Sequence, residues 1–194
     1  MIVMYEALLS DKRFFELLLR LDEDLAGDAR AAGCPRCGQV LHAAHYRRKP
    51  RGVPEGLVDR YGKRLSFCCA GDAKRHRRTP SSVRFLGRKV YLGAVVVLVS
   101  ALRGGATPVR MARLDELLGV SRRTVNRWRG WWTEIFPQTR CWAQRAGLFA
   151  VPVSTAQLPA SLLDRFAGPA ASALLSLLRL VLPISGGEAT VRAM

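Results

Sequence analysis

Acidic residues are scarce where this chain is most basic. Residues 34–150 hold 6 acidic against 24 basic residues, a net charge of +18, while residues 1–33 carry −3 and residues 151–194 carry +1. The overall charge of +16 is therefore concentrated in the middle of the chain. A solubilising surface mixes both signs. A field of one sign points instead to a polyanionic partner, which it attracts and whose encounter it speeds. Long apolar runs are missing as well. The longest uncharged apolar stretch, Val90 to Leu102, has 13 residues, and a membrane-spanning helix needs about 20, so no membrane partner is expected. No secretory leader pattern is evident, with charges from Glu6 onward. A cytoplasmic setting is expected, in which disulfides are not. No cluster of carboxylates stands out, and the chain is not expected to be an enzyme.

What is present divides into four stretches. Residues 1–33 read as an N-terminal amphipathic helix, with Leu8, Phe14, Phe15, Leu18, Leu19, Leu21 and Leu25 recurring between charged residues over 4–26. Residues 34–85 are rich in Gly, Pro, Arg and Lys and have little helical periodicity. Within them Val40-Leu41 and Leu65-Ser66-Phe67 are short enough for strands, and 47–62 reads as a basic loop broken by Pro and Gly. Residues 86–137 begin with the apolar run 88–102, read as a helix closed by Gly104-Gly105, and continue with helices over 109–118 and 122–136. Residues 138–194 form a C-terminal helical segment, with helices over 160–166 and 170–182 on either side of Gly168-Pro169. The stripe of Leu174, Leu175, Leu177, Leu178 and Leu180 suits either a core or a homodimer surface.

Five cysteines occur, and four of them fall in the basic stretch. Cys34-Pro35-Arg36-Cys37-Gly38 places two thiols two residues apart on one tight turn, with Gly38 permitting the bend. Cys68, Cys69 and His76 follow about thirty residues on and add thiolate and imidazole donors, the soft and borderline ligands that zinc selects. Cys68 and Cys69 are adjacent, and neighbours on a strand point to opposite sides. One of the two is therefore the ligand. The expected set is Cys34, Cys37, Cys69 and His76, with Cys68 as the alternative third ligand and His42 and His45 as rivals to His76. One structural zinc ion with four protein ligands has no position left to activate water. Cys141, far along the chain beside Trp142, reads as a packing residue.

A second signal lies in Leu114–Trp132, LDELLGVSRRTVNRWRGWW. Leu114, Leu117 and Leu118 make an apolar face, Gly119 permits a sharp turn and Ser121 stands at a helix N-cap. Val125, Trp128 and Trp132 recur at helical spacing as a core face. Arg122, Arg123, Thr124, Asn126, Arg127 and Arg129 are left to the outside and the start. Arg and Asn suit guanine and adenine edges, and the early part of a recognition helix is what meets them. The fold class expected is mainly α with a small zinc-ribbon β element and a three-helix helix-turn-helix domain. Arg47, Arg48, Lys49 and Arg51 on the loop, and Lys74, Arg75, Arg77 and Arg78 beside the second knuckle, are the expected phosphate contacts. Arg122, Arg123, Asn126 and Arg127 are the expected groove contacts.

The order of these parts resembles a known family. A C-x2-C knuckle and a Cys/His knuckle lead through an Arg-rich stretch into Thr79-Pro80-Ser81-Ser82-Val83-Arg84-Phe85, then a hydrophobic helix and a helix-turn-helix. This arrangement, over residues 34–136, is similar to the N-terminal DNA-binding region of insertion-sequence transposases with a zinc-ribbon head, and to small zinc-ribbon/helix-turn-helix proteins of bacterial mobile elements. The resemblance implies DNA as partner, a transposase or recombinase as a second one, and association with the nucleoid. Such transposases continue into an RNase H-like domain with three spaced carboxylates. Here only Glu134, Asp164 and Glu188 follow Trp132, so the resemblance implies DNA binding without strand transfer. The family's second C-x2-C is broken in this chain. An RNA-binding zinc-ribbon module and a protein-interaction adaptor are the alternative readings.

Overall fold

The structure, a computed structural model, describes residues 7–8, 11–49, 53, 56–71, 76–86, 90–91, 107–118 and 121–186. Its first long element, α1, runs Lys12–Ala31. Asp11 caps it by accepting the Arg13 amide at 3.0 Å. Residues 7–8 are helical as well, the rest of the expected start lies outside the described residues, and α1 ends five residues beyond the expected end. Its buried face carries Phe14, Phe15, Leu18 and Leu19, the residues that the 3.6-residue period selects. Beyond its end Gly33 adopts φ +69°, and a Cβ there would lie 2.9 Å from the Gly38 carbonyl oxygen, so the turn into the next segment requires glycine.

Short strands fill the basic stretch: β1 Leu41–Ala43, β2 Tyr46–Arg47, β3 Lys63–Arg64, β4 Phe67–Cys69 and β5 Arg77–Arg78, with a one-turn helix α2, Val58–Tyr61, before β3. The antiparallel order β1-β4-β5 makes one small sheet, and β2 pairs with β3. The segment expected as a loop over 47–62 therefore enters a hairpin at one end and a helical turn at the other. Leu41, Phe67, Cys34, Cys69 and Ala26 form a small core of their own, with Leu65 against it.

Phe85–Leu86 (β6) and Val90–Tyr91 (β7) pair antiparallel as a third small sheet. The helix expected from residue 88 is thus a strand at its start, where Val and Tyr fit an extended, paired backbone. The rest of that run lies outside the described residues. Helices α3 Pro108–Leu118 and α4 Arg122–Gly130 follow. The single helix expected over 122–136 is interrupted: a π-helical turn spans Trp131–Ile135 and a 3-10 turn spans Phe136–Gln138. Pro137 has no amide to continue the ladder. Helices α5 Arg140–Arg145, α6 Ala160–Leu163 and α7 Ala170–Ser185 follow among the described residues.

The fold is mostly helical with a small antiparallel sheet. Its main core gathers Phe14, Phe15 and Leu18 of α1, Tyr61 and Val83 of the basic stretch, Met111, Val125, Trp128, Trp132 and Phe136, and the apolar face of α7. Leu174, Leu177 and Leu178 are wholly buried within it, and Leu175 and Leu180 pack on its edge. The leucine stripe is therefore interior. Among the described residues no helix is long and apolar enough to cross a membrane.

One polar node is enclosed by this packing. Asp22 of α1 accepts the Val83 amide at 2.7 Å, the Arg84 Nε at 2.8 Å and the Ser82 hydroxyl. The Arg84 guanidinium donates onward to the carbonyls of Tyr61 at 2.6 Å and Lys63 at 3.0 Å, and it lies against the Tyr61 and Phe85 rings. The Ser82 amide donates to Ser185 Oγ of α7 at 2.7 Å. Both charged side chains are buried, and every contact named is one that desolvation makes necessary.

Candidate metal centre and basic surface

The knuckle Cys34–Gly38 closes on itself through the Gly38 amide to the Cys34 carbonyl at 2.8 Å and the Cys34 amide to the Gln39 carbonyl at 2.9 Å. Gly38 sits at φ +70°, which the turn needs. In the sheet, Leu41 faces Cys69 and His42 faces Cys68. Opposed residues share a face, so Cys69 joins the interior with Leu41 while Cys68 joins His42 and Arg77 on the outer face. This alternation brings Cys69 to the knuckle: the sulfurs of Cys34, Cys37 and Cys69 all lie within 4.8 Å of one another, with Cys37 Sγ and Cys69 Sγ 3.4 Å apart.

The surroundings prepare these thiols unequally. Backbone amides of Arg36 and Cys37 point at the Cys34 sulfur and bring its thiol down to about 7. Cys69 is pushed up to about 11, first by its hydrogen bond with Cys37 and then by burial. A thiol whose pKa is lowered by backbone amides, beside two more within reach, suits a thiophilic cation, which needs thiolates as donors. Three close cysteines could thus hold a metal ion here.

His76, expected as the fourth ligand, stays outside this triangle. Its Nε2 lies 2.8 Å from Arg36 Nη1, while its carbonyl accepts the Cys69 amide at 3.1 Å. The strand pairing places its backbone beside Cys69, but its ring is turned to the guanidinium of the first knuckle. Cys68 on the outer face and His42 opposite it are likewise apart from the three sulfurs. His45 turns to Ser66, whose amide lies 3.1 Å from Nδ1. Burial, and then the charge of Lys63, lower its pKa. Cys141 is buried beside Leu180, whose carbonyl lies 3.6 Å from its sulfur, and burial raises its thiol pKa. It is a packing residue.

The expected phosphate contacts divide by environment. Arg47 and Lys49 are exposed, and Arg47 reaches the exposed Asp59 at 3.0 Å. That contact contributes little in water. Arg48 and Arg77 lie over the Tyr46 ring, 5.0 and 5.3 Å from its centre. Arg77 is held further by the Ala44 carbonyl at 2.7 Å and Ser66 Oγ at 3.1 Å. Tyr46 as a platform for two guanidinium groups was not visible in the sequence. The only available signal was an aromatic residue beside an Arg pair. Arg78 is half-buried and donates to the carbonyls of Ala29 and Gly33 at the end of α1, where a cation also meets the helix dipole. Its role is to anchor that helix. Arg51, Lys74 and Arg75 lie outside the described residues.

On α4, Val125 and Trp128 are buried, with Trp132 beyond them in the π turn, while Arg122, Arg123, Asn126, Arg127 and Arg129 are exposed. Thr124, placed on the outer side by sequence, is buried instead. Ser121 holds the extended N-cap backbone, and its carbonyl accepts the Thr124 and Val125 amides at 2.9 and 3.1 Å. Its hydroxyl lies 3.2 Å from Thr124 Oγ1 and caps no amide. The turn at Gly119-Val120 and the side chains of Leu114, Leu117 and Leu118 lie outside the described residues. Comparison of the chain with protein-family models, with curated proteins and with solved structures finds no match in any of the three.

Proposed function

We propose that this chain is a DNA-binding protein of a mobile element, in which a zinc-ribbon-like basic module and a helix-turn-helix act together without strand-transfer chemistry. The observation that carries the reading is the division of α4: Val125 and Trp128 buried, and Arg122, Arg123, Asn126 and Arg127 exposed together. That is the disposition a recognition helix needs, with side chains suited to base edges on its outer face. The concentration of charge over residues 34–150 supports it. Arg47, Arg48, Lys49 and Arg77 offer donors for phosphate, which fix register while carrying no sequence information.

In this reading the ion at Cys34, Cys37 and Cys69 is zinc and its role is structural. It joins the first knuckle to β4 and so fixes the sheet beneath the basic residues. DNA is the partner, a transposase or recombinase acts on the same site, and the protein works in the cytoplasm at the nucleoid. Selection of bound duplexes from a random pool, followed by salt titration of the preferred one, tests the reading. Arg123→Ala and Asn126→Ala are expected to weaken the preferred site and relax its sequence. Arg48→Ala is expected to weaken all duplexes alike and to lower the salt slope by about 1. Loss of affinity by the same factor on every sequence in all three variants would leave a basic protein with no groove reading.

A further inference from the structure

Tyr46 links two of the small sheets through its side chain. Its backbone belongs to the β2-β3 pair, opposite Arg64, whereas Arg77 belongs to β5, in the sheet with β4. Arg48, just past β2, and Arg77 nevertheless converge on one ring, with guanidinium carbons 5.0 and 5.3 Å from its centre. The two cations are thus no farther apart than the sum of those distances. Each arm is also fixed near its base. The Arg48 amide donates to the Gly62 carbonyl at 2.8 Å, and Arg48 Nη2 lies 3.4 Å from the Tyr46 hydroxyl. Arg77 donates to the Ala44 carbonyl at 2.7 Å and to Ser66 Oγ at 3.1 Å. Both of those bonds use Nη1, so neither occupies Nε or Nη2.

These contacts orient the two arginines without neutralising them. A ring face, a carbonyl and a hydroxyl carry no net charge, in contrast to the Asp59 carboxylate that meets Arg47. Two like charges held close together repel, and the negative face of the ring offsets that only in part. Anions that meet both arms offset the rest. Successive phosphates of a duplex strand rise by about 3.4 Å. Guanidinium groups this close therefore meet neighbouring phosphates, and not phosphates a helical turn apart. Arginine also has the planar fork that both stacks on a ring and matches phosphate geometry, which lysine lacks. Arms already held in place lose less freedom on binding.

We infer that Tyr46 is a positioning residue for DNA: its ring holds Arg48 and Arg77 as one unit that grips two neighbouring phosphates, and it does so without itself stacking on a base. The inference rests on the DNA reading and deepens it by giving two of the phosphate contacts a fixed spacing.

Binding of duplex DNA to the full chain over a range of salt concentrations tests this. Arg48→Ala and Arg77→Ala are each expected to lower the salt slope by about 1, and the double variant by about 2. Tyr46→Leu is expected to weaken every duplex several-fold, and to cause no further loss once both arginines are alanine. Tyr46→Phe keeps the ring face and is expected to restore the parent affinity. Arg77→Lys keeps the charge without the planar group and is expected to weaken binding with the ring in place, so it reports on the stacking contact even where Tyr46→Leu lowers the denaturation midpoint. An equal loss from Tyr46→Leu in the parent and in the double-alanine chain would mean that the ring meets DNA itself or only supports the fold, and would overturn the inference. A double-alanine slope lowered by only about 1 would also overturn it, since the arms would then share one phosphate. Parent affinity in both Tyr46→Leu and Arg77→Lys would show that the ring positions nothing. Each of these outcomes leaves DNA binding by the chain standing. A parent chain that binds no duplex would remove the DNA reading and the inference together.

Discussion

Asp22 is the residue on which most of the buried polar chemistry depends. It accepts from Ser82, Val83 and Arg84, and its partner Arg84 has no access to water to replace it. Truncating one side of such a pair strands the other charge, at a cost of about 3–5 kcal/mol. Asp22→Asn is therefore expected to lower the urea midpoint sharply. A midpoint within experimental error of the parent would show that Arg84 finds another counter-charge. Little of this was legible in the sequence. Asp22 read as one charge among many on an amphipathic helix, because the residues that neutralise it are about sixty positions away. The cysteines were easier. Cys34 and Cys37 are fixed by local spacing, and the period of two along a strand is enough to separate Cys69 from Cys68. Spacing says which backbone comes near a site, and the His76 carbonyl does accept the Cys69 amide, but spacing carries no information on a ring's rotation, which here brings Nε2 to Arg36 of the other knuckle.

At the scale of elements, the proposed reading has α4 separate stability from recognition. Trp128 is almost fully buried, and removing so large a side chain from a packed site costs about 3–5 kcal/mol. Trp128→Ala is expected to destabilise the whole fold, seen as a lower denaturation midpoint with or without DNA. Arg123 lies on the exposed face, where substitutions change stability by about 0.5 kcal/mol or less. Arg123→Ala is thus expected to keep the parent midpoint and to lose sequence preference. A common loss of stability in both variants would mean that the outer face of α4 is also packed. The core face of this helix followed from the spacing of Val125, Trp128 and Trp132. Its end did not, because the change to a π turn at Trp131 reflects how Trp131, Trp132 and Phe136 pack on one another. Thr124 was assigned outward for a similar reason: its small polar side chain carries no mark of burial, and the contact with Ser121 is set by the N-cap backbone. The strand at Val90–Tyr91 was read as helix because a short apolar run has no period to separate the two.

At the scale of the whole molecule, the described residues form two cores of very different size. The main one draws on residues from Phe14 to Ile184, whereas the core behind the cysteines has only Ala26, Cys34, Leu41, Phe67 and Cys69 fully inside, with Leu65 at its edge. So small a core depends on whatever ties its cysteines together. Removal of metal by a chelator is expected to release the β1-β4-β5 sheet while the helices around α7 persist. Hydrogen exchange would show this as lost protection at the Cys69 and Ala70 amides, which donate to His76 and Val40, with protection in α7 retained. Equal protection in both states would mean that the sheet stands without an ion. The Asp22–Arg84 node has a consequence for how such a protein can be inherited. The carboxylate that neutralises Arg84 lies before residue 34, and the hydroxyl that receives the Ser82 amide lies near the far end of the chain. A recombination event that moved only residues 34–136 into another gene would deliver a buried cation without its counter-charge. The stretch 34–136 is therefore not portable by itself, and it keeps this node only together with the segments that carry Asp22 and Ser185.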